Sequence, residues 1–244
     1  MANDSIPVAE EGYQNGIASG NMEYACWNLF FKVVNHFHTG KEFKSLQKET
    51  EELISFLKQY NFSSQEDMIR GIVNSLSVLT ADAKSFTKKL DELTQNKEPE
   101  YLKAQKENNK VLLYTYHGFK GITTLWFGMH EVAYEHFQQV KENSKNQPLD
   151  VSLQYFQLCR ALNATFLLSD QNSKINKKDL LNILKESLAH FKKTKEINPD
   201  FGTPVWQFLT ATLEHQKTGL VNESSFEKAI SGFEKLNQPR YLLL

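Results

Sequence analysis

The chain has 244 residues, of which 40% are hydrophobic and 23% are charged. This is the composition of an ordinary folded protein, and it excludes disorder throughout the chain. The 28 Lys and Arg residues balance 29 Asp and Glu residues, for a formal charge of -1, which argues against a general nucleic-acid or anionic-membrane surface. The first residues lack the pattern of a secretory signal, and the apolar runs are too short and polar to span a bilayer.

Apolar residues recur at helical spacing in nearly every segment, and no segment shows the sustained alternation of a strand. In the segment 21–38, for example, apolar residues lie three and four positions apart, on one side of a helix. Residues 80–96 either continue the preceding helix or form a short separate one. Residues 97–99 are either a linker or the first turn of the next helix. The predicted helices cover residues 8–19, 21–38, 41–60, 64–79, 100–127, 130–144, 151–168, 177–197, 204–217 and 224–236.

Small residues and one aromatic residue surround a predicted tight turn at Phe127-Gly128-Met129. Gly121 lies seven residues before Gly128, Ala133 five after it, and Phe137 four after Ala133. Small residues at these points allow two antiparallel helices to approach closely, and the aromatic ring fills the groove beside them. This spacing is typical of the tetratricopeptide repeat.

The same spacing recurs loosely elsewhere in the chain. Gly20 and Ala25 repeat the five-residue step, and Ala229 and Phe233 repeat the four-residue step. A single helix pair cannot bury its apolar face, so stacked pairs must complete one core. We therefore predict an all-α fold, an α-solenoid of antiparallel helix pairs of tetratricopeptide-like type. It would span residues 1–244 as a single array, with one candidate internal boundary near 97–100.

A Gly-Asn-Met-Glu-Tyr-Ala turn at residues 20–25 opens a long aromatic helix, and a Thr-Gly-Lys turn at 39–41 leads into an amphipathic helix ending near Gln59. This order resembles the tetratricopeptide-like region of large predicted-ATPase sensor kinases of the histidine and serine/threonine types. Asn21 stands where that family usually has Asp. In the family, this region links kinase-like and ATPase parts to sensor and histidine-kinase parts. The resemblance implies a stand-alone or truncated helical scaffold with no active residues to carry over.

Motifs for catalysis and metal binding are missing from the sequence. There is no phosphate-cradling glycine loop, no Cys pair at metal spacing and no nucleophile elbow. Cys26 and Cys159 each lie in an apolar helical pattern, which predicts buried free thiols and fits a reducing, cytoplasmic location. His130 and His136 are six residues apart, a poor spacing for joint metal binding on one helix. We predict no cofactor, no metal and no enzymatic activity.

The start of the central aromatic helix is the predicted partner-binding surface. Three ring-bearing residues there fall on different sides of the helix, so at least one should face outward. The three polar residues before them can hold a peptide backbone or carboxylate, and inner helices of such arrays line the groove that holds a peptide. The predicted partner-binding residues are Asn108, Asn109, Lys110, Tyr114, Tyr116 and His117.

The predicted function is a non-catalytic helical-repeat scaffold that mediates protein–protein interaction, as a signalling module. The alternative is a helical carrier that closes around an apolar cavity and holds a hydrophobic small molecule. An enzyme with its site on loops is the weakest case, because the polar loop 169–176 lacks Cys, His and Glu. The apolar end Tyr241–Leu244 could dock onto another copy and form a homo-oligomer.

Overall fold

A computed structural model of the chain describes residues 2–145 and 151–235. These residues form helices without any strand. The predicted docking of the end Tyr241–Leu244 lies outside the described residues. The helices are α1 (Ala2–Ser19), α2 (Met22–Thr39), α3 (Phe43–Gln59), α4 (Ser63–Leu79), α5 (Phe86–Thr94), α6 (Pro99–Lys106), α7 (Lys110–Trp126), α8 (His130–Asn143), α9 (Val151–Ser169), α10 (Lys177–Ile197), α11 (Pro199–Thr218) and α12 (Glu223–Lys235).

The single long helix predicted over residues 100–127 is wrong, because the chain turns between α6 and α7. Asn108 adopts a left-handed conformation with φ of 52°, which asparagine tolerates better than most residues. The backbone N–H of Asn109 then donates to the carbonyl of Ala104 at 2.9 Å. The Asn109 side chain caps α7 by accepting a hydrogen bond from the backbone N–H of Leu112 at 3.2 Å. Two adjacent asparagines thus end one helix and start the next.

The predicted start of the helix at residue 204 is also wrong. Helix α11 begins at Pro199, directly after α10, and the Asn198 side chain accepts a hydrogen bond from the backbone N–H of Phe201. Proline suits the first position of a helix because its missing N–H would have no partner there. The open question about residues 80–96 is answered by a separate short helix, α5.

Helices that follow one another in the chain pack side by side, except α5 and α6. In the first pair, Asn35 donates to Ser5 at 2.9 Å, and Lys32 pairs with Glu10. Further along, Gly16 lies against the backbone of Ala25. Residue numbers rise along α1 as they fall along α2, so these two helices run antiparallel.

Helix α7 lies at the centre of the molecule and is packed by α4, α6, α8 and α9. Every residue from Leu112 to Leu125 is buried, including the polar side chains of His117 and Lys120. The prediction that a ring of α7 faces outward is therefore wrong. Tyr114, Tyr116 and His117 are 5%, 0% and 3% exposed.

Glycines allow the neighbours of α7 to approach it closely. A Cβ atom added to Gly121 would lie 2.8 Å from the ring of Phe137 on α8, so the predicted contact between this glycine and aromatic residue is confirmed. At Gly118, a Cβ atom would lie 2.2 Å from the ring of Phe156 on α9. Both cysteines are free and buried, as predicted.

Candidate functional site

A cleft of about 520 Å³ opens between the end of α5, helix α6 and helix α8, above the middle of α7. This size is within the range of small-molecule and peptide side-chain pockets. Nearly all of its lining side chains can donate or accept hydrogen bonds. They are Thr94, Asn96, Tyr101, Gln105, His117, Val132, Tyr134, Glu135, His136, Gln138 and Gln139.

Helical spacing explains why the side chains of two cleft walls, on α6 and α8, point into the same space. On α6, Tyr101 and Gln105 are four residues apart and therefore share one face, and Gln105 donates to the Tyr101 hydroxyl at 2.9 Å. On α8, Val132 and Glu135 are followed by His136 and Gln139 at the three-and-four spacing of a single face. The break at Asn108 is what makes α6 a separate wall beside α7 rather than its first turns.

A buried chain of hydrogen bonds lies along one side of the cleft. The Tyr101 hydroxyl lies 3.3 Å from Nε2 of His117, and Nδ1 of His117 lies 2.9 Å from Nδ1 of His136. Since one ring must donate in the Nδ1 contact and the other must accept, the tautomers of the two histidines are coupled. Within the described structure, Nε2 of His136 is buried and has no hydrogen-bond partner.

Both histidines are neutral at neutral pH. Burial lowers the pKa of His117 to about 4, and the nearby Lys120 charge adds to this. Burial also lowers the pKa of His136 to about 3, with smaller contributions from His117 and Lys120. The cost of placing a charge in this environment keeps the protons off both rings.

A fully buried lysine on α7 binds the loop that borders the cleft. Nζ of Lys120 lies 2.7 Å from a carboxylate oxygen of Glu98 and 2.8 Å from Oδ1 of Asn96, and its side chain is 0% exposed. Burial lowers the Lys120 pKa, while the Glu98 carboxylate acts in the opposite direction. The ion pair fixes the loop between α5 and α6, and so places Asn96 at the edge of the cleft.

The structure brings one of the six predicted site residues to the cleft, His117. Tyr114 packs with Phe156 in the core, and Tyr116 lies under the Lys120 ammonium. Asn108 forms the turn between α6 and α7 with its left-handed backbone, and Asn109 caps α7 with its side chain. Lys110 is exposed at the start of α7.

No motif or spacing in the sequence pointed to Tyr101, Lys120 and His136 as members of one site. The available signal was Lys120, a charged residue within an otherwise apolar helix, because a buried charge needs a partner.

Within residues 2–145 and 151–235, no group of three or more His, Cys, Asp or Glu residues could hold a metal ion. No helix in that part of the chain combines the length and the apolar character needed to cross a bilayer.

Comparison with protein-family models, curated proteins and solved structures found no match for this chain. The resemblance to the helical region of sensor kinases, carried by residues 20–59 and by the order of the later helices to Ala229, therefore stays a prediction.

Proposed function

We propose that this chain is a non-catalytic helical-repeat scaffold, a solenoid of antiparallel helix pairs that binds a protein or peptide partner. The packing of consecutive helices and the antiparallel contact of α1 with α2 support the architecture. The resemblance of residues 20–59 supports a signalling role. The buried free thiols of Cys26 and Cys159 support a cytoplasmic location.

The polar cleft is the observation that carries the proposed binding function. An extended peptide offers backbone N–H and C=O groups at regular intervals, and the cleft walls offer matching side-chain amides, hydroxyls and imidazoles. Because the walls belong to packed helices, the site is largely formed before binding, and little conformational freedom is lost when the partner arrives.

A hydrophobic ligand fits this cleft poorly. It would cover the amide and hydroxyl groups of the walls without giving them partners, and each buried polar group left unpaired costs about 1–3 kcal/mol. A cavity between α3 and α4 is partly lined by apolar side chains such as Ile54 and Leu76, but it measures only about 70 Å³. Ligand pockets usually measure about 300–1,000 Å³. A third cavity, of about 710 Å³ where α11 meets α12, is a shallow surface feature, since its apolar residues Leu220 and Val221 are 74% and 60% exposed. The polar cleft and these two cavities therefore favour the scaffold over the carrier.

The test is selection of binding peptides from a random displayed library against the purified chain. Selected peptides are then measured by fluorescence anisotropy against two variants with the same substitution. Gln139→Trp places a large ring in the cleft, whereas Gln14→Trp places it on the exposed surface of α1. We expect the first variant to weaken binding at least tenfold and the second to leave it unchanged. Equal affinity for both variants would remove the cleft from the proposed function.

A further inference from the structure

We propose that the cleft recognises an uncharged carboxamide, the side chain of a Gln or Asn residue of the partner, and that Nε2 of His136 forms the central hydrogen bond to it. This inference rests on the proposed function, because it names the chemical group of the partner that enters the cleft.

The first reason is the unused hydrogen-bonding atom of His136. The residue is 4% exposed and lines the cleft, and its Nδ1 is already engaged by His117. Its Nε2 has no partner within the described chain. A buried polar atom without a partner is costly, and buried polar groups in native proteins are normally satisfied. A ligand group that reaches this nitrogen supplies the missing bond.

The second reason is the electrical neutrality of this part of the site. The charge of Lys120 is matched by Glu98 at 2.7 Å. Both histidines are held neutral by burial. An acidic ligand group would lose its hydration without gaining a counter-charge, which is a large penalty. The exposed carboxylate of Glu135 at the cleft wall further disfavours an acidic ligand.

The third reason is that the site offers both donors and acceptors. If the Tyr101 hydroxyl donates to His117, then His117 donates to His136, and Nε2 of His136 carries a proton and donates. If the tautomers are reversed, the same nitrogen accepts. A carboxamide carries one carbonyl acceptor and an NH₂ donor on one rigid plane, so it can meet either state. The Thr94 hydroxyl, which also lines the cleft, donates its proton to the Asp91 carbonyl at 2.9 Å and offers its oxygen as an acceptor to the NH₂ group of the amide.

Within a peptide partner, Gln and Asn are the side chains that carry a carbonyl acceptor and an NH₂ donor side by side on one plane. Ser and Thr are also neutral donors and acceptors, but their hydroxyl groups lie close to the backbone and offer one polar atom rather than two. We therefore favour the carboxamide, and a hydroxyl ligand is one of the outcomes that the experiment separates.

The experiment is a titration of the ¹⁵N-labelled full chain with capped single amino acids, followed by the imidazole nitrogen resonances of His136 in long-range NMR spectra. The probes are the N-acetyl, N-methylamide derivatives of Gln, Glu, Ser and Met. We expect the Gln probe to shift the Nε2 resonance of His136 in a saturable manner. The Glu, Ser and Met probes should bind at least tenfold more weakly. A His136→Phe variant should lose the preference for the Gln probe.

The proposal is overturned if the Gln probe leaves the His136 resonance unmoved, or if the Glu, Ser or Met probe binds as tightly as the Gln probe. The wild-type titration alone decides this, so the proposal stays testable even if His136→Phe fails to fold, which circular dichroism will show. Failure of the scaffold function looks different. In that case no selected peptide is sensitive to Gln139→Trp, whereas the Gln probe still shifts His136.

Discussion

Replacing Gly118 with alanine should destabilise the protein, because α7 and α9 touch at this residue. The new Cβ atom would lie 2.2 Å from Cε2 and Cζ of the Phe156 ring, against about 3.5–4.0 Å for a normal carbon contact. The ring would have to move by about 1.3 Å, the difference between the two distances. It has no free space, since Phe156 is 0% exposed and packs edge-on against Phe119 with ring centroids 5.4 Å apart.

The size of the effect follows from two opposing terms. Overpacking a core costs about 1–3 kcal/mol, and three ring atoms within 2.6 Å of the new Cβ atom place this site at the upper end. Alanine in place of glycine within a helix returns about 1 kcal/mol. The expected net loss is about 2 kcal/mol in the free energy of unfolding, which lowers Tm by about 4–8 °C for a chain of this size.

Thermal and urea unfolding followed by circular dichroism measure this loss. Gly71→Ala is the matched control, because its new Cβ atom would lie no closer than 3.3 Å to any neighbour, and we expect a change within about 1 kcal/mol. Phe156→Leu removes the two closest ring atoms, so Gly118→Ala should cost at least about 1 kcal/mol less in that background. An undiminished cost in the Leu background, or wild-type stability of Gly118→Ala alone, would refute the reasoning.

Three further predictions concern the cleft and the last helices. The pKa values of His117 and His136 are about 4 and 3 in the folded chain and near 6.5 in the unfolded chain. Below pH 6.5 the unfolded chain therefore binds more protons than the folded chain, and the free energy of unfolding falls as the pH falls. Urea unfolding should show that the free energy of unfolding declines by up to about 1.4 kcal/mol per pH unit for each histidine between pH 6 and 4. This decline should be smaller in a variant that lacks both imidazole rings. Glu98→Gln leaves the buried Lys120 charge unpaired and should lower the free energy of unfolding by about 3–5 kcal/mol. Adding Lys120→Met removes that charge and should recover most of the loss in the same urea measurement. A double variant no more stable than Glu98→Gln would contradict this. Gly202→Ala places a Cβ atom 2.3 Å from a backbone nitrogen of α10. Backbone cannot rotate aside as a side chain can, so Tm should fall at least as far as in Gly118→Ala. An unchanged Tm would show that α10 and α11 shift apart freely.

The chain's own residues determine its helical character and many of the helix ends. Apolar spacing of three and four predicted the helices, and the helix over residues 177–197 has the predicted bounds. Glycines at 20, 40, 128 and 219 all adopt the left-handed conformation that ends a helix, because glycine has no Cβ atom to oppose it. These are local effects, so they can be derived from the order of residues alone.

Asparagine at the helix ends shows where local reasoning becomes ambiguous. Asn61, Asn96 and Asn108 adopt the left-handed conformation, but asparagine also occurs within helices, so the pattern around Asn108 predicted one long helix. Its side chain is small and polar enough for either conformation, and the energies differ by little. The packing of α6 back against α7, which one continuous helix could not make, decides between them.

The cleft itself is a product of tertiary structure. His117 and His136 are 19 residues apart on different helices, and Lys120 meets Glu98 across 22 residues. Helical period describes which side chains share a face of one helix, but it carries no information about which faces of two helices meet. Likewise, the sequence of α7 does not predict that all of its sides are buried, because polar residues such as His117 and Lys120 interrupt the apolar ones. Only the packing of α4, α6, α8 and α9 around α7 buries its rings and brings the two histidines together.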